Sequence, residues 1–75
     1  MAELPVLKAK ELIKALEKMG FEAVRQRGSH IRFIIADGRK TTVPNHPGAD
    51  IPKGLLRKII REDLQISVEE FITFL

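Results

Sequence analysis

The 75 residues fit one domain, 1–75, and a domain of this size hides only roughly 60% of the surface its unfolded chain exposes, so one thin core is expected. Hydrophobic residues at 44% and charged residues at 31% exclude a disordered or membrane-spanning chain, and the absence of cysteine excludes disulfide frameworks, thiol nucleophiles and cysteine-rich zinc sites. The formal charge of +3 is modest, and excludes neither an anionic nor a neutral partner.

From Ala9 the apolar positions Ala9, Leu12, Ile13, Leu16 and Met19 recur at the i, i+3, i+4, i+7 spacing of one helical face, with lysines and glutamates between them. This predicts a first helix closed by Gly20 as a left-handed cap, with a poorly marked start because Lys8 is not a capping residue. Phe21 to Arg27 and Ser29 to Ile35 read as two strands around Gly28. Asp37-Gly38 is a strong hairpin signal, and a third strand follows near Lys40 to Val43. Pro44-Asn45-His46-Pro47-Gly48 reads as a loop, since two prolines and a glycine disfavour both ladder and helix hydrogen bonds. A second helix is expected behind it, with Asp50 as N-cap, Pro52 in the first turn, and Ile51, Leu55, Leu56, Ile59 and Ile60 as the buried stripe. Ser67-Val68-Glu69-Glu70 is a capping box opening a short last helix, whose Val68, Phe71, Ile72 and Leu75 are expected to close over the core. The order is α-β-β-β-α-α, an α+β fold.

Charge is segregated along this order. Residues 24–61 carry nine basic residues against Asp37 and Asp50, an excess of +7, while the remainder, four lysines against eight acids, sums to −4. A basic middle is the footprint of a surface that meets a polyanion, because phosphate contacts release counterions and dominate nonspecific affinity. Charge runs of this kind also occur as merely solubilising faces. The longest apolar run, Phe33-Ile34-Ile35-Ala36, is far short of a spanning helix and the N-terminus lacks a signal-peptide core, so no membrane association and a cytoplasmic location are expected.

Gly28-Ser29-His30, placed at a hairpin after Gly20-Phe21 and before an apolar strand, resembles the corresponding region of the HicA toxins of toxin-antitoxin pairs. The similarity takes in Lys18-Met19-Gly20-Phe21, the run from Arg25 to His30, Val43-Pro44 with His46, Pro52-Lys53-Gly54 with Leu56, and Ile66-Ser67 with Glu69-Glu70-Phe71. A Gly-Ser-His triplet alone carries no weight; the set in this order and spacing is fairly specific. The resemblance implies a dsRBD-like fold with a short extra C-terminal helix and a three-stranded antiparallel sheet bearing helices on one face. It also implies cleavage of messenger RNA and neutralisation by a HicB-type antitoxin. Two departures bear on helix packing rather than on the site. Leu55 stands where such toxins often carry threonine, and Asp63-Leu64-Gln65 where a small residue and glycine are common.

Alternation in the second strand puts Ile31, Phe33 and Ile35 on one face and His30 with Arg32 on the other, leaving His30 available to a ligand. Ribonuclease chemistry without metal needs a base for the ribose 2′-hydroxyl proton, positive charge against the phosphorane, and a proton for the departing 5′-oxygen. Histidine suits the first and last, for about 10²- to 10⁴-fold in rate. On spacing alone a strand histidine at the surface is more often merely hydrogen-bonded; the resemblance reverses that preference and makes His30 the general base. His46, in its Pro-rich loop, is an auxiliary candidate for the acid, although a loop anchor is the commoner role. Gly28 is read as permitting the turn, with backbone approach to phosphate as a lesser role, and Ser29 lacks the oriented base a nucleophile needs.

Arg25, Arg27 and Arg32 lie near His30 in sequence as candidate phosphate contacts, and Lys53, Arg57 and Lys58 are candidates to hold the RNA backbone from the second helix. No clustered carboxylates or His-x-x-x-His pair appear in the basic region, so neither metal nor other cofactor is expected. With four Phe and no Trp or Tyr, base stacking on aromatic platforms is not indicated. Two alternatives share these residues: a noncatalytic RNA-binding module of the same fold, and a protein-interaction domain that sequesters a partner.

Overall fold

The computed structural model describes residues 3–75. Helix α1 spans Ala9–Met19, strands β1 Glu22–Arg27, β2 His30–Ile34 and β3 Lys40–Pro44 follow, then helix α2 Lys53–Lys58, a π-helical continuation Ile59–Leu64, and helix α3 Val68–Ile72. The expected α-β-β-β-α fold with a short C-terminal helix is present, and the sheet is antiparallel in the order β1-β2-β3.

Helix α1 ends as its sequence predicts, at Gly20 with φ 108°, where the left-handed turn lets the Gly20 and Phe21 amides donate back to Glu17 and Leu16. Its start is fixed without a capping side chain: the Glu11 carboxylate accepts from the Lys8 amide at 2.9 Å. Buried Leu12, Ala15 and Leu16 then face the sheet. The β1–β2 turn is two residues long, with Gly28 at φ 59° in the first central position and Arg27 paired to His30, the arrangement that matches strand twist in a tight hairpin. The second hairpin turns at Ala36-Asp37-Gly38, where Gly38 takes φ 96° and Ile35 accepts its amide.

The core is one cluster in which Phe33 and Val43 from the sheet meet Leu12 and Leu16 of α1, Leu56, Ile59, Ile60 and Leu64 of the helical segment after β3, and Phe71 of α3. Truncating a buried phenylalanine such as Phe33 or Phe71 to alanine costs about 3–5 kcal/mol, a large share of the 5–15 kcal/mol that holds a typical domain. Thr41 is the one polar member of this interior among the described residues, and its hydroxyl donates to Asp63 Oδ2 at 2.8 Å.

Several expectations are corrected. Asp50 does not cap α2: it bridges Lys8, which donates to it at 3.2 Å, and the helix begins after Pro52, whose carbonyl accepts from Leu56. Leu75 does not close the core but stays 44% exposed, and Phe74 packs there instead. Pro44, expected in the loop, closes β3 opposite His30, a place open to proline because β3 is an edge strand. Leu4 and Leu7, ahead of any periodic segment, are buried, and the Ile51 amide donates to the Leu7 carbonyl. The π-helical turn has no counterpart in the apolar spacing, since Leu56, Ile59, Ile60 and Leu64 would share a face of an ordinary α-helix as well.

Candidate functional site

The helices cover one face of the sheet and leave the other open. On that open face the sequence positions of the basic residues present a problem that β1 solves. Phe21 is buried and Ala23, though exposed like the rest of β1, pairs with Phe33 and shares its face, so uninterrupted alternation would put Arg25 and Arg27 on the face of Phe33 as well. The register shifts between Ala23 and Arg25, where Val24 is the extra residue, and thereafter Arg25 pairs with Arg32, Gln26 with Ile31 and Arg27 with His30. The bulge thus transfers both arginines to the face of His30 and Arg32. It leaves Val24 itself 56% exposed.

The result is a shallow depression lined by Arg25, Arg27, His30, Arg32 and Thr42. Directly opposed strand residues have Cβ atoms about 4.5–5.5 Å apart, so the Arg27–His30 and Arg25–Arg32 pairs gather three cationic side chains around the imidazole. Among the described residues the ion pairs involve Lys8 with Asp50 and Arg39 with Asp37, and no carboxylate pairs with Arg25, Arg27 or Arg32. Three uncompensated guanidinium groups on an open face make a local positive potential suited to an anion.

Arg39, in contrast, is withdrawn from that face. Its Nε donates to Asp37, its Nη1 donates to the Leu64 carbonyl, and its guanidinium lies 5.8 Å from the centroid of the Phe21 ring. The Arg39 backbone amide holds the Asp37 carboxyl below its ordinary value; desolvation opposes this, and the Arg39 guanidinium adds a lesser lowering through its hydrogen bond and charge.

The other anticipated residues divide by place. Lys58 joins Arg32, Lys40, Thr42 and Leu55 around a neighbouring depression, whereas Lys53 and Arg57, exposed on α2, line neither hollow. His46 sits in a third hollow with Lys8, Lys10 and Asn45, apart from the set around His30. The two loops are nevertheless tied, because the Asn45 amide donates to the Ser29 carbonyl at 2.6 Å. Gly28 carries the turn, and Gln26 donates to its carbonyl at 3.2 Å. Sequence alone does not single out Thr42 and Lys40; their period-two spacing along β3 puts them on one face, and the pairing of Pro44 with His30 makes it the face of His30. Among the described residues no group of three His, Asp or Glu side chains converges as a metal site would require, and no helix is long and apolar enough to cross a membrane.

This architecture, an open three-stranded sheet with helices on one face and a basic, histidine-bearing face on the other, is that of a small dsRBD-like α+β domain. The model of a family described as the HicA toxin of bacterial toxin-antitoxin systems matches residues 9–64, from the first residue of α1 to the end of the π-helical turn. The chain belongs to the HicA toxin family, and its place is that of the toxin in a toxin-antitoxin pair, with an antitoxin as partner. A search among curated proteins finds no match.

Proposed function

We propose that the protein is a metal-independent endoribonuclease that cleaves messenger RNA, with His30 as the general base. The observation that carries the reading is the convergence of Arg25, Arg27 and Arg32 with His30 on the open sheet face, no carboxylate being paired with any of the three arginines. His30 takes the proton of a ribose 2′-hydroxyl, the 2′-oxygen attacks the adjacent phosphorus, and the bond to the 5′-oxygen breaks. The guanidinium groups stabilise the added negative charge of the phosphorane, the kind of preorganised electrostatic contribution that is usually large in phosphoryl chemistry. Water supplies the proton to the departing 5′-oxygen, since His46 lines another hollow. The products are a 2′,3′-cyclic phosphate and a 5′-hydroxyl.

The membership of the family supports the class, because its toxins are generally ribonucleases. The same membership favours a HicB-type antitoxin as the neutralising partner and the cytoplasm, where messenger RNA is translated, as the location. RNA incubated with the purified protein in EDTA tests the reading. Fragments ending in 2′,3′-cyclic phosphate are expected; binding without cleavage would favour a noncatalytic RNA-binding module.

A further inference from the structure

Beside the hollow that holds His30 lies a second one of about 300 Å³, and Arg32 and Thr42 line both. The second adds Lys40 from β3 and Lys58 from α2 at its rim, Leu55 and Ile59 as an apolar floor, and Asp63. Lys40 and Lys58 are exposed, and among the described residues neither pairs with a carboxylate within ion-pair distance. Two lysines on separate elements, converging on a concave site that shares an arginine with the candidate active site, differ from a merely solvated charge run.

The chemistry of the hollow is divided. The rim is cationic, while Asp63, which accepts the Thr41 hydroxyl, places a negative charge by the floor. A phosphate is therefore favoured at the rim and disfavoured below it, where Leu55 and Ile59 offer apolar surface to the uncharged part of a nucleotide. Lys40 lies two residues along β3 from Thr42, about 6.6 Å at strand rise, a step comparable to one nucleotide of extended single strand.

We infer that this hollow is a second nucleotide subsite, which binds the phosphodiester next to the one cleaved. Lys40 and Lys58 hold that phosphate, Arg32 lies between it and the scissile phosphate, and the sugar or base rests over Leu55. The subsite rests on the RNA reading of the His30 face and extends it by one nucleotide toward α2.

NMR titration with uncleavable 2′-O-methyl RNA tests the subsite apart from catalysis. A dinucleoside monophosphate, with one phosphate, and a tetranucleotide, with three internal phosphates, are titrated into the wild type, the Lys40→Ala/Lys58→Ala variant and a charge-matched Lys10→Ala/Lys14→Ala control on α1. The first double variant is expected to weaken tetranucleotide binding by about tenfold, leaving dinucleoside binding and the folded spectrum intact, while the control changes neither by more than about twofold. Equal tetranucleotide affinity for wild type and the Lys40/Lys58 variant would overturn the subsite, as would an equal loss in the control. If the wild type binds in the expected pattern but cleaves no RNA, the ribonuclease reading fails and the subsite stands; if it binds neither oligonucleotide, both fail.

Discussion

At the scale of single residues, the two histidines differ in surroundings rather than in type. His30 faces solvent among three arginines and a threonine, whereas His46 shares its hollow with Lys8, Lys10 and Asn45. A two-histidine acid-base pair needs both imidazoles on one substrate group, within hydrogen-bond reach or one water of the protons they move. His46→Ala is therefore expected to keep cleavage within about threefold of wild type, against the roughly 10²- to 10⁴-fold loss typical when a general acid is removed. Initial rates on a defined oligoribonucleotide separate the two outcomes. The Thr41–Asp63 bond is a different matter, one of stability. Thr41 is only 3% exposed, so Asp63→Ala leaves a buried hydroxyl without its acceptor, and a loss of about 1–3 kcal/mol is expected in urea denaturation.

At the scale of elements, two irregularities set the geometry. The first is the bulge in β1. Because Val24 is the extra residue, deleting it should leave Arg25 opposite Arg32 and Arg27 opposite His30 in a regular ladder. A Val24-deleted protein is thus expected to fold and to retain RNA binding; in an unbulged strand the same deletion would turn both arginines to the opposite face and abolish it. The second is the end of the π-helical turn, where Gln65 sits at φ 57°, the only non-glycine residue with positive φ among the described residues. Its amide and that of Ile66 close back on the Ile60 carbonyl, so the conformation is held by the fold. A non-glycine residue there carries a steric penalty of roughly 1–2 kcal/mol. Gln65→Gly should recover about 1 kcal/mol of it, offset in part by greater freedom of the unfolded chain, and raise Tm by about 4–8 °C per kcal/mol gained. Thermal denaturation followed by circular dichroism reads the shift.

At the scale of the whole molecule, the architecture was largely legible because its elements are short and strongly punctuated. Gly20, Gly28 and Gly38 all take the positive φ their sequence contexts require, and the period-3.6 stripe from Ala9 to Met19 has no competing reading. The outward placement of His30 and Arg32 followed from alternation in β2, which contains no irregularity. Arg25 and Arg27 lie near His30 in sequence, but their arrival on that face depends on a bulge that Ala23-Val24 does not announce. Asp50 had the look of an N-cap, yet Lys8, 42 positions away, claims its carboxylate, a long-range contact that local pattern cannot contain. The count of +7 for the central segment likewise overstates the face available to RNA, since Lys53, Arg57 and Arg61 line neither hollow of the open face, while Arg39 and Asp37 cancel each other within the count. What remains on the open face is smaller and more concentrated: three arginines around one histidine, with Lys40 and Lys58 beside them. The most direct test of the catalytic assignment is cleavage of RNA in EDTA by wild type and His30→Ala, with circular dichroism verifying that both are folded. Loss of 2′,3′-cyclic phosphate products in a folded His30→Ala protein is the expected result, and undiminished cleavage by that variant would contradict it.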